Sequence, residues 1–471
     1  MSSIHKPLNV IIIGAGIGGL TAAIACRHAD PPLDVTVLEK CPKILTIGAG
    51  IHIPPNACRI LSEFGLLDKL KQAGGYEVDR FVLSRYEDGR TLASKPLRER
   101  VQKEYGSEWI AIHRGDYQSV LLNEGVRLGA KILTNTDAVD VQQKNLDGQS
   151  IVHTADGRQL LADVVIGADG LWSHTRNIVL GRSLIPEETG DLAYRVTFSR
   201  DQLRGLASKE VDALVERSDI QVWLGPGRHV VFYPLRNHTE YNLVLLVADD
   251  LPTGVRTADA TVEEMMSNFE GWDPRLKLIM SAADKQQLPL KWKLLHVKEL
   301  PQWTRGTLAL LGDASHPSLP YLGQGAAMAV EDAATLGMLL NAYSSKGVVN
   351  DQRERNQEIA ELLKFYERSR KSRAEIIVAG ATDTRHYYHL PDGCQQKMRD
   401  EELSKLADAN WDGPCSFNWG DSVYQRDLLA FDIASHLADA SSDAPKVTRS
   451  RRQRHVDRVQ RIFSPVSSTK I

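Results

Sequence analysis

The chain has 471 residues, 42% of them hydrophobic and 25% charged, with a formal net charge of -3. That length can bury more than one core, the composition is ordinary for a globular protein, and the charge gives no general pull toward nucleic acid. The five scattered cysteines contain no C-x-x-C pair, which speaks against a zinc site or a disulfide framework and for a reducing, cytoplasmic setting. No apolar run approaches the roughly 18 residues that cross a bilayer, and the start, Met1 to Pro7, lacks the layout of a signal peptide.

Val10 to Ile13 is a β-branched run suited to a strand buried on both faces. Gly14, Gly16 and Gly19 follow at G-x-G-x-x-G spacing. The first allows a tight turn, the second lets a pyrophosphate approach the backbone, and the third lets the next helix sit close to the strand. The N-terminal N–H groups of that helix point at the phosphates. A second strand, Val35 to Leu38, ends in Glu39, about 20 residues past the last glycine, where a carboxylate accepts the hydroxyls of an adenosine ribose.

Gly48 and Gly50 then suggest backbone passing close to something, and Asn56 reads as the cap of a helix carrying Ile60, Leu61, Phe64 and Leu67. Strands are expected at Phe81 to Leu83 and Trp109 to Ile112, and a helix at Tyr117 to Leu128 with Asp116 as its cap. Lys131 to Leu133, Val139 to Gln142 and Ser150 to His153 read as a small antiparallel set, with a hairpin turn at Asp156-Gly157. A buried strand from Leu161 ends in a tight turn holding Asp169 and Gly170, with Arg176 in the helix beyond.

From about Asp191 to Lys293 the pattern changes to strand-like runs bounded by Gly, Pro and Asn, the mark of a separate, mostly antiparallel sheet. The α/β pattern returns at Gly306 to Asp313, followed by a proline-rich loop (His316, Pro317, Pro320), then Gly325 and a long helix, and a further helix over Glu358 to Ala379. The expected fold is α/β: a Rossmann-type dinucleotide-binding domain with an inserted, mostly antiparallel sheet and C-terminal helices. Its parts run 1–185 and 296–380 for the nucleotide domain, 186–295 for the substrate sheet and 381–440 for a helical region. The basic segment 441–471 reads as a solvated, disordered tail.

Three motifs now stand in order: Gly14-x-Gly16-x-x-Gly19, Asp169-Gly170 and Gly312-Asp313. Together with His113-Arg114-Gly115-Asp116, the run Gly225 to Pro234, and Gln324-Gly325-Ala326, the chain from about Asn9 to Gly393 resembles the class A FAD-dependent monooxygenases, the aromatic hydroxylase family. The flavour is that of salicylate hydroxylase, 6-hydroxynicotinate 3-monooxygenase and the fungal secondary-metabolite enzymes. The resemblance implies FAD as cofactor, bound by a Rossmann-type FAD-binding domain of the glutathione-reductase kind, with NAD(P)H and O2 as co-substrates and a flavin C4a-hydroperoxide as the oxygen donor. It implies that Glu39 holds the adenosine ribose, Arg114 reaches FAD, Asp313 accepts a ribityl hydroxyl, and Gly325 and Ala326 face the flavin ring. Asp169 is implied in contacts to FAD and to the nicotinamide cofactor.

Hydroxylation favours an electron-rich ring, and a phenolate is richer than a phenol. Arg195 and Tyr233 sit on strands of the inserted sheet, at positions that contact a substrate oxygen in fungal relatives; a buried arginine keeps its proton and holds an anion. His52 is a candidate base for the phenolic proton. The expected activity is hydroxylation of a small aromatic, phenolic in kind, by a monomer or homodimer without nucleic-acid or integral-membrane partners and without a metal. Decarboxylative hydroxylation is open where the substrate carries a carboxylate beside its hydroxyl. Two other readings remain open: epoxidation of an indole or alkene in natural-product biosynthesis, and a flavin-binding protein that does not oxygenate.

Overall fold

The computed structural model describes residues 7–44, 49–143, 148–283, 289–345, 349–406 and 415–441. Ile47 and Gly48, and the basic tail from 442 onward, lie outside the described residues.

The β-branched run Asn9–Ile13 forms the inner strand of a six-stranded sheet. It pairs in parallel with Asp34–Leu38 on one side and Val164–Gly167 on the other. Lys131–Leu133 extends one edge in parallel, and Leu308–Leu310 the other, followed by an antiparallel edge strand, Thr304–Arg305. Parallel strands need crossovers that cover both faces, and the inner strands are accordingly apolar and buried over Val10–Ile13 and Val164–Gly167. The helix Ile17–Arg27 covers one face and is buried from Ile17 to Cys26, against the long helix Gly325–Ser345.

A second sheet of eight strands runs in the order Thr257–Asp259, Leu290–His296, Glu187–Ser199, Glu240–Ala248, Arg228–Leu235, Ile220–Gly225, Arg80–Arg85 and Thr91–Pro96. Its pairs are antiparallel except Ile220–Gly225 against Arg80–Arg85. The sheet therefore draws a hairpin, Arg80 to Pro96, from far outside 186–295. Alternation divides its side chains. One face, with Trp223, Phe232, Tyr241 and Leu243, packs under short helices in a core of its own. The other, with Val222, Leu224, Tyr233 and Leu246, joins the main core shared with the nucleotide layer.

A three-stranded antiparallel sheet, Gly50–Ile53, Ile110–His113 and Tyr76–Glu77, lies in the same core. Strands Ala138–Gln142, Ser150–Thr154 and Gln159–Ala162 form a further small sheet. The 37-residue helix Gln352–Tyr388 packs against the long helix, and three shorter helices follow.

Several local expectations are corrected. Asn56 does not cap its helix: Pro54 holds the N-cap, and the Asn56 amide turns inward to Gln324 and Glu331 at 3.1 and 2.7 Å. Asp116 does not cap the next helix, Arg114–Arg127; the His113 side chain accepts from Gly115 N–H, and Asp116 pairs with Arg236 at 2.7 Å. Lys131–Leu133 belongs to the six-stranded sheet instead of the small antiparallel set, because its apolar side chains continue that parallel layer. The helix expected over Glu358 to Ala379 runs Gln352–Tyr388, since Asp351 caps it early and no breaker intervenes.

Candidate flavin and substrate site

The glycine loop is built by contacts that only glycine permits. Gly14 has a φ of +106°, and a β-carbon there would come within 2.5 Å of the Ala168 carbonyl. At Gly19 a β-carbon would collide with the Gly14 carbonyl. Gly16 differs: its φ of -71° is ordinary, and a β-carbon there would meet nothing within 4 Å. The open space at Gly16, at the N-cap of a helix, leaves room for an anionic group to approach the backbone. The Glu39 carboxylate stands at the tip of its strand and accepts from the backbone N–H of Ala15 at 3.0 Å and of Cys41 at 2.9 Å. The loop is further fixed by Gln118, whose amide donates to the Ala15 carbonyl at 2.8 Å.

Asp169 abuts the same loop, its backbone 3.2 Å from where a Gly14 β-carbon would lie. Its carboxylate accepts from the Ser173 hydroxyl at 2.6 Å, from Thr175 N–H at 3.0 Å, and from the Thr175 hydroxyl. It thus anchors the turn into the helix His174–Leu180. Arg176 is buried and donates to the carbonyls of Leu171 and Ala314 at 2.8 and 3.4 Å, which ties this turn to the Gly312 loop.

Asp313 follows Gly312 and is exposed, and its carboxylate makes no hydrogen bond among the described residues. Protein crowds it nonetheless: burial pushes its carboxyl up, while His316 and Arg114 pull it back down. An unpartnered carboxylate beside the open N-terminus of the helix Gly325–Ser345 fits a polyol hydroxyl. Gly325 and Ala326 are the first residues of that helix and are only partly buried, and N–H groups at a helix start have no intrahelical acceptor. The residues present therefore fit FAD along its length.

The loop is held from behind by a buried ionic network. Asp332 accepts from Gly312 N–H at 3.0 Å, from Arg370 at 2.8 Å and faces His316 at 2.6 Å. Glu331 accepts from Arg370 at 2.6 Å and Arg373 at 2.7 Å. Burial works to raise both carboxyls, but Arg373 and Arg370 for Glu331, and His316 and Arg370 for Asp332, outweigh it and hold each at about 2.

On the core-facing side of the large sheet, the register sets polar groups in neighbouring rows. Arg195 lies opposite Val244, and Val244 opposite Val231. In the adjacent row Thr197, Asn242 and Tyr233 stand side by side. Arg195 reaches solvent, yet burial lowers its pKa, Tyr233 acts to raise it and Arg114 to lower it. Its guanidinium carbon is 5.9 Å from the ring centroid of Trp292, a half-exposed residue on the same face. Tyr233 is buried; burial raises its hydroxyl's pKa, and Arg195 and the neighbouring Asn242 amide oppose that.

Across from this face, Gly50 and His52 approach Tyr233. The His52 and Tyr233 ring centroids are 4.4 Å apart. Burial brings the His52 imidazole down to about 4, so it is neutral near pH 7. A β-carbon at Gly323, in the loop before Gly325, would lie 4.0 Å from the His52 β-carbon. Arg114 is the electrostatic neighbour of both Asp313 and Arg195. The sequence-derived residues thus gather in two connected places. Gly14, Gly16, Gly19, Glu39 and Asp169 lie at the glycine loop. Gly50, His52, Arg195 and Tyr233 meet between the sheets, Arg114 links Arg195 to Asp313 electrostatically, and Gly323, shortly before Gly325 and Ala326, lies near His52. Sequence reasoning missed Gln118, Asn242 and the Glu331–Asp332–Arg370 network. A polar Asn242 inside the apolar run Tyr241 to Val247 was the available signal for one of them.

A family model described as FAD binding domain matches residues 7–381. The chain is 36% identical to the FAD-dependent monooxygenase OpS4 of Beauveria bassiana over 410 residues, 86% of this chain and 91% of that protein. It is 33% identical to 6-hydroxynicotinate 3-monooxygenase of Pseudomonas fluorescens over 374 residues, 78% of this chain and 89% of that protein. Its fold is similar to a salicylate hydroxylase substrate complex, with a TM-score of 0.73 at 24% identity, covering 93% of this chain and 99% of the other.

Proposed function

This chain belongs to the FAD binding domain family, among FAD-dependent monooxygenases, and from that premise we propose that it uses NAD(P)H and O2 to hydroxylate a small phenolic aromatic. The observation that carries the reading is the meeting of Arg195, Tyr233 and His52 in the space that Gly323 and Arg114 connect to the flavin-binding residues. Relatives named for hydroxylated heteroaromatic and benzoate substrates support a ring bearing an ionisable hydroxyl.

When bound, FAD supplies the electron transfer and oxygen-transfer chemistry. The chain's own residues prepare the substrate. Arg195 holds the substrate oxygen as an anion, because a guanidinium keeps its proton and offers planar donors. Tyr233 donates a hydrogen bond to the same oxygen. Neutral His52 offers a ring nitrogen that accepts a hydrogen bond from the phenolic hydroxyl as the substrate arrives. The N–H groups of Gly325 and Ala326 offer a positive dipole end to negative charge on the flavin ring. NAD(P)H binds transiently along the seam beside Asp169 and Arg176, and the reaction takes place in the cytoplasm.

The test is direct. Purified protein should be yellow, and a phenol should stimulate NADH or NADPH oxidation and yield a product one oxygen heavier. Peroxide release alone, with no oxygenated product from any phenol or indole tried, overturns the reading.

A further inference from the structure

Asn242 is fully buried, and neither its Nδ2 nor its Oδ1 has a hydrogen-bond partner among the described residues. It sits in an otherwise apolar strand segment, directly opposite Tyr233, on the face that carries Arg195. Its polar neighbours in the register are Thr197 and Tyr233, and the Asn242 amide acts on the Tyr233 hydroxyl. A buried amide is costly unless its ends are matched, and the Tyr233 hydroxyl, on which the Asn242 amide acts, is a group it can pair with.

A phenol hydroxyl has one proton to give and lone pairs to receive with. If the Asn242 Nδ2 donates to Tyr233 Oη, the Tyr233 proton is left to point away from Asn242. If Oδ1 accepts from Tyr233, that proton is consumed, and the cleft sees only lone pairs. Rotation of the amide exchanges the two states. A deprotonated substrate oxygen can only accept. It therefore completes a one-way chain, Asn242 to Tyr233 to substrate, in which each bond strengthens the next. Arg195, with Arg114 behind it, adds charge of the same sense, whereas His52 is neutral and the buried Tyr76 hydroxyl, which senses Tyr233, has no partner among the described residues.

We propose that Asn242 is a positioning residue that aims the Tyr233 proton into the cleft and so selects substrates bound as the phenolate. This rests on the phenol-site reading above.

The FAD-loaded enzyme and 4-nitrophenol, whose anion and neutral form absorb differently, provide the test. The ratio of anion to neutral form in the bound probe is read by difference absorbance across pH. Asn242→Leu should lower that ratio about tenfold, one pKa unit. Asn242→Asp, of the same shape but accepting where Asn donates, should lower it further. Tyr233→Phe should cause the same loss as Asn242→Leu, and the double variant no more than Tyr233→Phe alone. Asn242→Ser stands in should either variant lose FAD. A purely packing role would weaken both forms of the probe equally and leave the ratio alone; that result, or additive losses in the double variant, overturns the proposal. If the wild-type holoenzyme binds no phenol in either form, the phenol-site reading itself fails, and this proposal with it.

Discussion

The ring of Tyr233 fills the space that a β-carbon on Gly50 would need: that atom would lie 2.7 Å from the phenolic Cζ, and closer still to the hydroxyl. Strand and ring interlock because residue 50 is bare. Gly50→Ala should therefore push Tyr233 out of line with Arg195 while the flavin-binding loop stays intact. We expect kcat/KM for a phenol to fall by about tenfold or more, near 1.4 kcal/mol of transition-state stabilisation, with flavin content unchanged. Steady-state kinetics beside the flavin absorbance check this. Unaltered kinetics would show that the ring has another place to go.

Two glycines of one loop should behave in opposite ways. Gly14→Ala forces a side chain onto a φ of +106° and against the Ala168 carbonyl, so the protein loses stability with or without FAD. Gly16→Ala meets no protein atom, so the apoprotein should change by no more than about 1 kcal/mol, the scale of a weakened N-cap. Its FAD affinity should drop at least about tenfold, since the methyl enters the pyrophosphate's space. Urea unfolding of apoprotein and fluorescence titration with FAD separate the two effects.

The network behind the flavin loop makes an acid-sensitivity prediction. Folded Glu331 and Asp332 are held at about 2, below the ordinary values of 4.5 and 3.8. Their stabilisation is complete above the ordinary values and is lost as pH falls from there toward 2. Arg370→Leu leaves two buried carboxylates short of a cation, so stability at neutral pH should drop by about 3–5 kcal/mol. Its acid unfolding should begin at higher pH than in the wild type. Circular dichroism in urea at a series of pH values reads both; coincident acid transitions would mean that Arg373 and His316 suffice.

His52 carries a second pH signature. With its folded pKa near 4, it is neutral well below the ordinary value of 6.5. The acidic limb that His52 imposes on kcat/KM for a phenol should fall near pH 4 instead of near 6.5, and His52→Gln should remove it. A limb at 6.5 that disappears in His52→Gln would mean that the imidazole is not held neutral by burial.

The nucleotide half was legible because its signals are local. Gly14, Gly16 and Gly19 at fixed spacing and Glu39 at a strand tip encode backbone geometry within a few tens of residues. The sheet half was legible by alternation, which put Arg195 and Tyr233 on strands. What escaped depends on distant partners. Asn56 and Asp116 both look like helix caps from their neighbours, yet the first turns to Glu331 and the second to Arg236. Arg370 reads as one more charge on a polar helix, though it is fully buried between Glu331 and Asp332. Only the folded chain brings these positions together.

The parallel pairing of Ile220–Gly225 with Arg80–Arg85 has a bearing on protein engineering. A graft of segment 186–295 from a relative, made to exchange specificity, would set the donor's counterpart of Ile220–Gly225 against this chain's own Arg80–Arg85, so the side chains on the two strands would no longer be matched to one another. Chimeras that also carry 80–96 from the same donor preserve that match and are the ones to build.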